Sequence, residues 1–373
     1  MNGEFQKNHF DIWLLFTVMM LVVFGVIMVY SASAVRALEL YGDSYYFLKR
    51  SLCFTGLGLV GLFAASACHY HFYRRFIYIF LFASLILLGL VFIPGIGRTI
   101  GGATRWIKIG MFGFQPSEFA KLVMILFLAY SLEKKSARMR SLAVGIVPHV
   151  LVMTAVSGII LLQRDFGAAV IIAMITWMML FVAGARLRYL GGILATLLPL
   201  VILLIAKAPY RRQRILAFLN PWNDQYGSGF QMIQSFVAFN EGGLFGQGLG
   251  QGQQKLFYLP DAHTDFIFSV VGEELGLLGV FFIMGLFLFF CYRGFRISLQ
   301  APDLFGRYIA LGITGLIGIQ ALLNMGVVMG LLPTKGLVLP FLSYGGSSVV
   351  MFLIAVGILL NISSYRRSES AFS

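Results

Sequence analysis

Apolar runs of membrane-spanning length recur from one end of this 373-residue chain to the other, and nothing else in it restricts the fold as tightly. A bilayer core offers no water to backbone amides, so a chain that crosses it must pair them within a helix or a closed barrel. The period-2 alternation of a barrel is absent, and each run is close to the ~20 residues that a helix needs to cross. Ten spans are expected, near residues 12–33, 48–68, 76–93, 116–132, 143–162, 167–184, 189–206, 265–290, 307–330 and 347–363. The fold class is therefore all-α, a polytopic membrane protein of about ten transmembrane helices forming one domain over residues 1–373. One large extracytoplasmic loop, residues 207–264, separates spans seven and eight.

Charge sets the orientation. The chain carries 28 Lys and Arg against 15 Asp and Glu, a net charge of +13. The basic residues are scattered through short connectors, so they read as topology signals beside an anionic leaflet and argue against a nucleic-acid partner. With the N-terminus in the cytoplasm, Arg74/Arg75, Lys134/Lys135/Arg138/Arg140, Arg186/Arg188, Arg293/Arg296/Arg307 and Arg366/Arg367 all fall inside, as does the C-terminus. Arg211, Arg212 and Arg214, at the outer end of span seven, depart from that pattern. Cys53, Cys68 and Cys291 lie in or beside apolar runs and give neither a disulfide framework nor a metal pattern. The first run lacks a small-residue cleavage site and reads as a retained span.

Every polar motif then falls outside. After span three come Gly102-Ala103-Thr104-Arg105-Trp106-Ile107 and Gln115-Pro116-Ser117-Glu118-Phe119-Ala120-Lys121. Trp106 reads either as an interfacial anchor or as a substrate contact. Pro116 suits a first helical turn, where Glu118 complements the dipole, and Glu118 with Lys121 forms a structural ion pair or a headgroup site. Arg164-Asp165, closing span five, is a hydrated turn or a phosphate contact. The glycine-rich run Glu241 to Gly252 has no βαβ context, so it packs on itself or offers N–H groups to sugar or phosphate. In the last outer loop Pro333 and Pro340 break an apolar run, which reads as re-entrant with Lys335, Ser343 and Tyr344 facing a cavity.

The densest motif is Leu259-Pro260-Asp261-Ala262-His263-Thr264-Asp265-Phe266, which continues into Gly272-Glu273-Glu274-Leu275-Gly276 of span eight. Carboxylates at membrane depth are costly and mark function. On an uninterrupted helix, Asp265, Ser269 and Glu273 share a face at i, i+4, i+8, with Asp265 at the water boundary beside His263 and Thr264. Glu273 then belongs to the cavity of Asp265, and Glu274, turned about 100° away, pairs with a neighbouring span. Asp265 itself is a general base, a ligand of a divalent cation, or only a carboxylate complementing a helix N-terminus.

Taken together, Gly102–Ile107, Gln115–Phe119, Leu259–Phe266 with Gly272–Gly276, and Ser343-Tyr344-Gly345-Gly346-Ser347-Ser348 resemble the SEDS family of bacterial shape, elongation, division and sporulation proteins. The match covers nearly the whole chain, and Leu332–Leu337 resembles the division branch rather than the elongation branch. The resemblance implies a peptidoglycan glycosyltransferase of the bacterial cytoplasmic membrane, working at the division septum and polymerising lipid II on the outer leaflet. It implies as partners a class B penicillin-binding protein, which supplies the transpeptidase, and other membrane proteins of the division complex. The family's essential aspartate falls on Asp265 and its important tryptophan on Trp106. Where many relatives have Gln-Pro-Asp-Leu-Gly, this chain has Gln163-Arg164-Asp165-Phe166-Gly167, retaining Asp165 but placing Arg164 in the position of the proline.

The chemistry of that reaction suits these residues. A base must take the proton of the acceptor 4-hydroxyl, and fixed cations must hold the leaving undecaprenyl pyrophosphate. Inversion from an α-linked donor to a β-linkage needs one carboxylate, for which Asp265 is expected. Arg105, Arg211, Arg212, Arg214, Lys121 and Lys335 are the candidate cations. A divalent cation, Mg²⁺ or Mn²⁺, on Asp265 is the open alternative, and no other cofactor is implied. A lipid II flippase, favoured by Glu273 and Glu274 inside a span, and a non-catalytic division scaffold are the rival readings. With the native cysteines replaced, an Arg212→Cys variant in intact cells should react with a membrane-impermeant maleimide; protection would place the basic cluster inside.

Overall fold

Each apolar run becomes a helix in the computed structural model, which describes residues 6–7, 9–100, 102–110, 112–227, 229–254, 262–334 and 336–366. Strand β1 (Gln6–Lys7) leads to helices α1 (Ile12–Tyr41), α2 (Tyr46–Ala67) and α3 (His71–Leu90). Three strands follow, β2 (Gly97–Ile100), β3 (Ala103–Ile109) and β4 (Phe112–Phe114). Then come α4 (Pro116–Lys134), α5 (Val147–Leu162), α6 (Phe166–Val182) and α7 (Leu187–Ala206). Shorter α8 (Pro209–Leu219) and α9 (Phe230–Gly242) precede α10 (Ile267–Gln300), α11 (Leu304–Val328) and α12 (Gly346–Ser363). A final strand, β5 (Tyr365–Arg366), pairs antiparallel with β1.

The expectation of a purely helical chain is corrected by the sheet. Strands β2, β3 and β4 pair antiparallel in sequence order, with a register shift between Arg98 and Thr99. Ala103, Arg105 and Ile107 alternate with Thr104, Trp106 and Lys108, so one face can pack on helices while the other carries polar groups. Glycines make the turns between the strands: Gly102 and Gly110 have φ of 73° and 58°. The large loop expected over residues 207–264 contains two helices, α8 and α9.

The ten expected spans correspond to α1–α7 and α10–α12, and among the described residues seven are long and apolar enough to cross a membrane, α5 because a π-helical turn (Leu142–Ile146) extends it to 21 residues. The other three are α4, α6 and α7. Helix α4 carries Glu118, Lys121, Glu133 and Lys134 in 19 residues, and α6 has only 17 residues. Helix α4 tolerates its charges because it is enclosed: most of its side chains, from Pro116 to Leu132, are buried among α3, α6 and α11. Helices α11 and α12 are likewise mostly buried, whereas α2 and α3 turn Leu57, Val60, Phe63, Ile79 and Phe82 outward. That inverted exposure is what an apolar surrounding allows.

Polar ties hold the helix ends together. At one end Asp11 caps α1 through Leu14 N–H (3.0 Å) and receives Arg293 of α10, whose Nε lies 3.0 Å from Oδ2. At the same end Asp303 caps α11 while accepting from His71 (2.7 Å) and Tyr70 (3.1 Å). The opposite end gathers the sheet, the α5–α6 turn, the start of α10 and the segment before α12.

Helix α10 departs most from expectation. It begins at Ile267, two residues after Asp265, and is broken at Gly276, where φ is 65° and ψ is −164°. Asp265 therefore lies in the preceding turn and does not share a helical face with Glu273. The glycine-rich run repairs the break: Gln247 and Gly248 N–H donate to the carbonyls of Glu273 (3.0 Å) and Glu274 (3.0 Å). Leu277 and Leu278 N–H donate in turn to the carbonyls of Gly243 (2.9 Å) and Leu244 (3.3 Å). A Cβ on Gly246 or Gly276 would collide with the main chain of the other segment, so glycine is what permits this approach. Gly276→Ala is expected to destabilise the fold by more than the ~1–3 kcal/mol of the backbone strain alone. A lowered unfolding midpoint in detergent checks this, and an unchanged midpoint would mean that the break is not required.

Candidate functional site

A cavity of about 510 Å³ opens at the end where the polar motifs meet. Three elements build its wall. The sheet supplies Arg98, Trp106 and Lys108; the start of α2 supplies Arg50 and Phe54; Thr264 and Tyr344 come from the turns before α10 and α12. Trp106 lies against Gly113 on the neighbouring strand, where a Cβ would stand 3.2 Å from the indole. Ser347, in the first turn of α12, accepts from Gln115 N–H and donates to Gly113 C=O (both 3.1 Å), which fixes β4 against that helix.

Tyr344 is held by its own N–H to the His263 carbonyl (2.9 Å). Burial raises the pKa of its hydroxyl above the ordinary tyrosine value, against the pull of the Arg50 guanidinium beside it, so it stays a neutral donor. The His263 ring is buried between Phe47 and Tyr344, at centroid distances of 4.6 and 5.7 Å, and serves as a buttress.

Asp265 follows Thr264 in the same turn and is half-buried. Its Oδ2 stands so near Gly336 that a Cβ there would be 3.0 Å away. Its carbonyl accepts from Asn324 Nδ2 of α11 (2.8 Å). The aspartate is thus brought from the start of α10 to the loop before α12; it follows the cavity-lining Thr264 and is not itself a residue of the cavity wall.

Several expected site residues have other duties. Arg105 donates to the carbonyl of Arg164, and Arg164 donates to that of Gly102 (2.9 Å), so the two arginines fasten the sheet to the α5–α6 turn. Asp165 caps α6 through Ala168 N–H (3.1 Å) and accepts from Gln115 (3.2 Å) and Ser117 (3.3 Å). Glu118 and Lys121 form a buried ion pair (2.9 Å), with Lys121 also donating to Gln320 (2.8 Å) and lying over the Phe352 ring. Glu273 accepts from Gln253 and Gln254 N–H on the glycine-rich loop, and Glu274 accepts from Ser31 of α1 (2.6 Å). The partner expected for Glu274 is therefore found, whereas Glu273 is turned into a loop rather than into the cavity. Ser343 accepts from Leu339 N–H (2.8 Å) in a local turn.

Arg212 is exposed on α8, and Arg214 donates weakly to the Thr334 carbonyl (3.4 Å); neither lines the cavity. The Arg211 side chain, Lys335, and the Leu259 to Asp261 part of the motif lie outside the described residues. The cations that do face the cavity, Arg50, Arg98 and Lys108, were not among the expected site residues. Arg50 sits at the start of an apolar span, and Arg98 and Lys108 resemble ordinary loop residues until the strands place them side by side. Among the described residues no group of three or more His, Cys, Asp or Glu could hold a metal.

A family model described as a cell cycle protein, spanning FtsW, RodA and SpoVE, matches residues 12–368. The probable peptidoglycan glycosyltransferase FtsW of Trichlorobacter lovleyi is 52% identical over 360 residues, covering 96% of this chain and 94% of its own. The stage V sporulation protein E of Bacillus subtilis is 45% identical, covering 97% of this chain and 99% of its own. Among solved structures, a chain of a peptidoglycan synthase complex that coordinates polymerization and crosslinking is similar at TM-score 0.78 and 32% identity, over 95% of this chain and 97% of that one. The rod shape determining protein RodA of Thermus thermophilus is similar at TM-score 0.70 and 30% identity, over 95% and 96% of the two chains.

The enclosed ion pair gives a stability test. Lys121→Met leaves Glu118 buried and uncompensated, with an expected loss of ~3–5 kcal/mol. The double variant Glu118→Gln/Lys121→Met should recover part of it. Equal losses in the single and double variants, measured by unfolding in detergent, would show that the pair is not coupled.

Proposed function

The chain belongs to the cell cycle protein family of FtsW, RodA and SpoVE, and from that membership we propose that it is an FtsW-type peptidoglycan glycosyltransferase that polymerises lipid II. The observation that carries the reading is the convergence of Arg50, Arg98, Lys108 and Trp106 on one cavity whose wall includes Thr264, the residue preceding the half-buried Asp265.

In this reading Asp265 takes the proton from the 4-hydroxyl of the acceptor sugar as that oxygen attacks the donor's anomeric carbon. The new C1–O4 bond forms as the C1–O bond to phosphate breaks, with inversion, and the electron pair leaves on undecaprenyl pyrophosphate. Guanidinium and ammonium groups fixed by strands and a helix start are already placed for the growing diphosphate charge, so little reorganisation is needed. Arg50, Arg98 and Lys108 take the role first assigned to other cations. Trp106 offers an indole face to a sugar or lipid-proximal group, and Tyr344 and Thr264 offer hydroxyls. A divalent ion would find one carboxylate in Asp265 and draw its remaining ligands from pyrophosphate and water.

The chain is a multi-pass membrane protein. In this reading the chain crosses the bacterial cytoplasmic membrane ten times with both termini in the cytoplasm, so that the cavity opens on the outer side, and the resemblance of Leu332–Leu337 to the division branch supports work at the septum. A class B penicillin-binding protein is the transpeptidase partner in this reading, in keeping with the similarity to a peptidoglycan synthase complex. The flippase alternative drew on Glu273 and Glu274, whose carboxylates hold the glycine-rich loop and Ser31, so that argument no longer favours transport.

Purified protein with its transpeptidase partner is expected to convert lipid II to glycan, and Asp265→Ala should lower the rate at least a hundredfold with the fold and complex intact. Wild-type activity in that variant would overturn the base assignment. No polymer from the wild-type complex would overturn the enzyme reading itself.

A further inference from the structure

Asp265 has no helical ladder of its own to fix it, because it lies in the turn before α10. The Tyr344 N–H ties the turn at the His263 carbonyl, and a second tie, at Asp265 itself, comes from another helix. Asn324 of α11 is 1% exposed, and its Nδ2 donates both to the Asp265 carbonyl (2.8 Å) and to the Leu337 carbonyl (2.5 Å). Both amide hydrogens are thereby used to join two segments about 70 residues apart in sequence. One helical turn earlier, Gln320 donates to the next carbonyl of the same loop, that of Val338 (3.0 Å), and accepts from the buried Lys121. The loop is thus anchored at two consecutive carbonyls, and Asn324 alone of the two amides reaches across to the aspartate. On the far side, Gly336 presses its backbone to the carboxylate.

We propose that Asn324 is a positioning residue for the glycosyl transfer, holding the Asp265 turn and the 336–338 loop in one register so that the carboxylate, next in sequence to the cavity-lining Thr264, stands against Gly336. The inference rests on Asp265 being the base. Asn324 does not line the cavity, so its removal shifts the carboxylate without removing a substrate contact. A displacement near 1 Å at a reacting group can cost ~100-fold in rate. Gly336→Ala tests the same register from the other side, because its methyl group would press on Asp265 Oδ2 while leaving the Asn324 amide in place.

The experiment measures kcat and KM for lipid II polymerisation, with the unfolding midpoint, in the wild-type complex and in the Asn324→Ala, Asn324→Ser and Gly336→Ala variants. The expected result is a fall in kcat of at least tenfold with KM within about twofold, in protein that retains its fold. An unchanged kcat in a folded Asn324 variant overturns the proposal, as does a loss of activity that only tracks the loss of folded protein. If neither Asn324 variant folds, Gly336→Ala decides, and an unchanged kcat there overturns it. An inactive wild-type complex would instead count against the enzyme reading, which separates the two failures.

Discussion

Main-chain amides at membrane depth must be paired, and the interruption of α10 shows how far the fold is shaped by that requirement. A break at Gly276 removes the ordinary i to i−4 partners around it, and each unpaired group would cost several kcal/mol in an apolar setting. The chain answers with a second segment: amides and carbonyls from 243–248 substitute for the missing turn. This placement fixes the glycine-rich run, orients Glu273 toward Gln253 and Gln254, and leaves Glu274 to reach Ser31. Two carboxylates that suggested transport are thereby accounted for by local pairing.

Buried charge in α4 is handled by a similar device. Glu118 and Lys121 would be poorly tolerated on a lipid-facing helix, but α4 is enclosed, and Lys121 passes its remaining contact to Gln320. Through Gln320 the polar chain reaches the 337–338 loop, and Asn324 on the same face of α11 reaches both that loop and the Asp265 turn. Interior polar groups thus join the Asp265 turn to that loop. The cations of the cavity are placed differently, on the sheet and at the start of α2, where rigid elements hold them at the wall.

Much of the site could be read from the sequence. Trp106, Thr264 and Tyr344, which line the cavity, were legible because specialised residues occur in polar segments between apolar runs. The cations were less legible. Arg105 and Arg164 look suited to phosphate, yet each is committed to a carbonyl of the other's segment, and that commitment depends on a contact across 59 residues or more of chain. Arg50, Arg98 and Lys108 carried no local signal, since an isolated basic residue near a membrane boundary is ordinary. The uninterrupted helix expected through Glu273 was incorrect because a glycine within an apolar run does not announce its φ value; only the partner segment makes the break affordable.

The sequence by itself determined the class of molecule, a multi-pass membrane protein, together with its apolar helices and the separation of basic connectors from polar motifs. Those features follow from composition and short-range order, which solvent and bilayer impose wherever the chain goes. The tertiary structure alone decided which cations face the cavity, where α10 breaks, and how Asn324 joins the aspartate turn to a loop distant in sequence. Such choices rest on pairing between main-chain and buried polar groups brought together only by folding, and no local pattern encodes the identity of the partner.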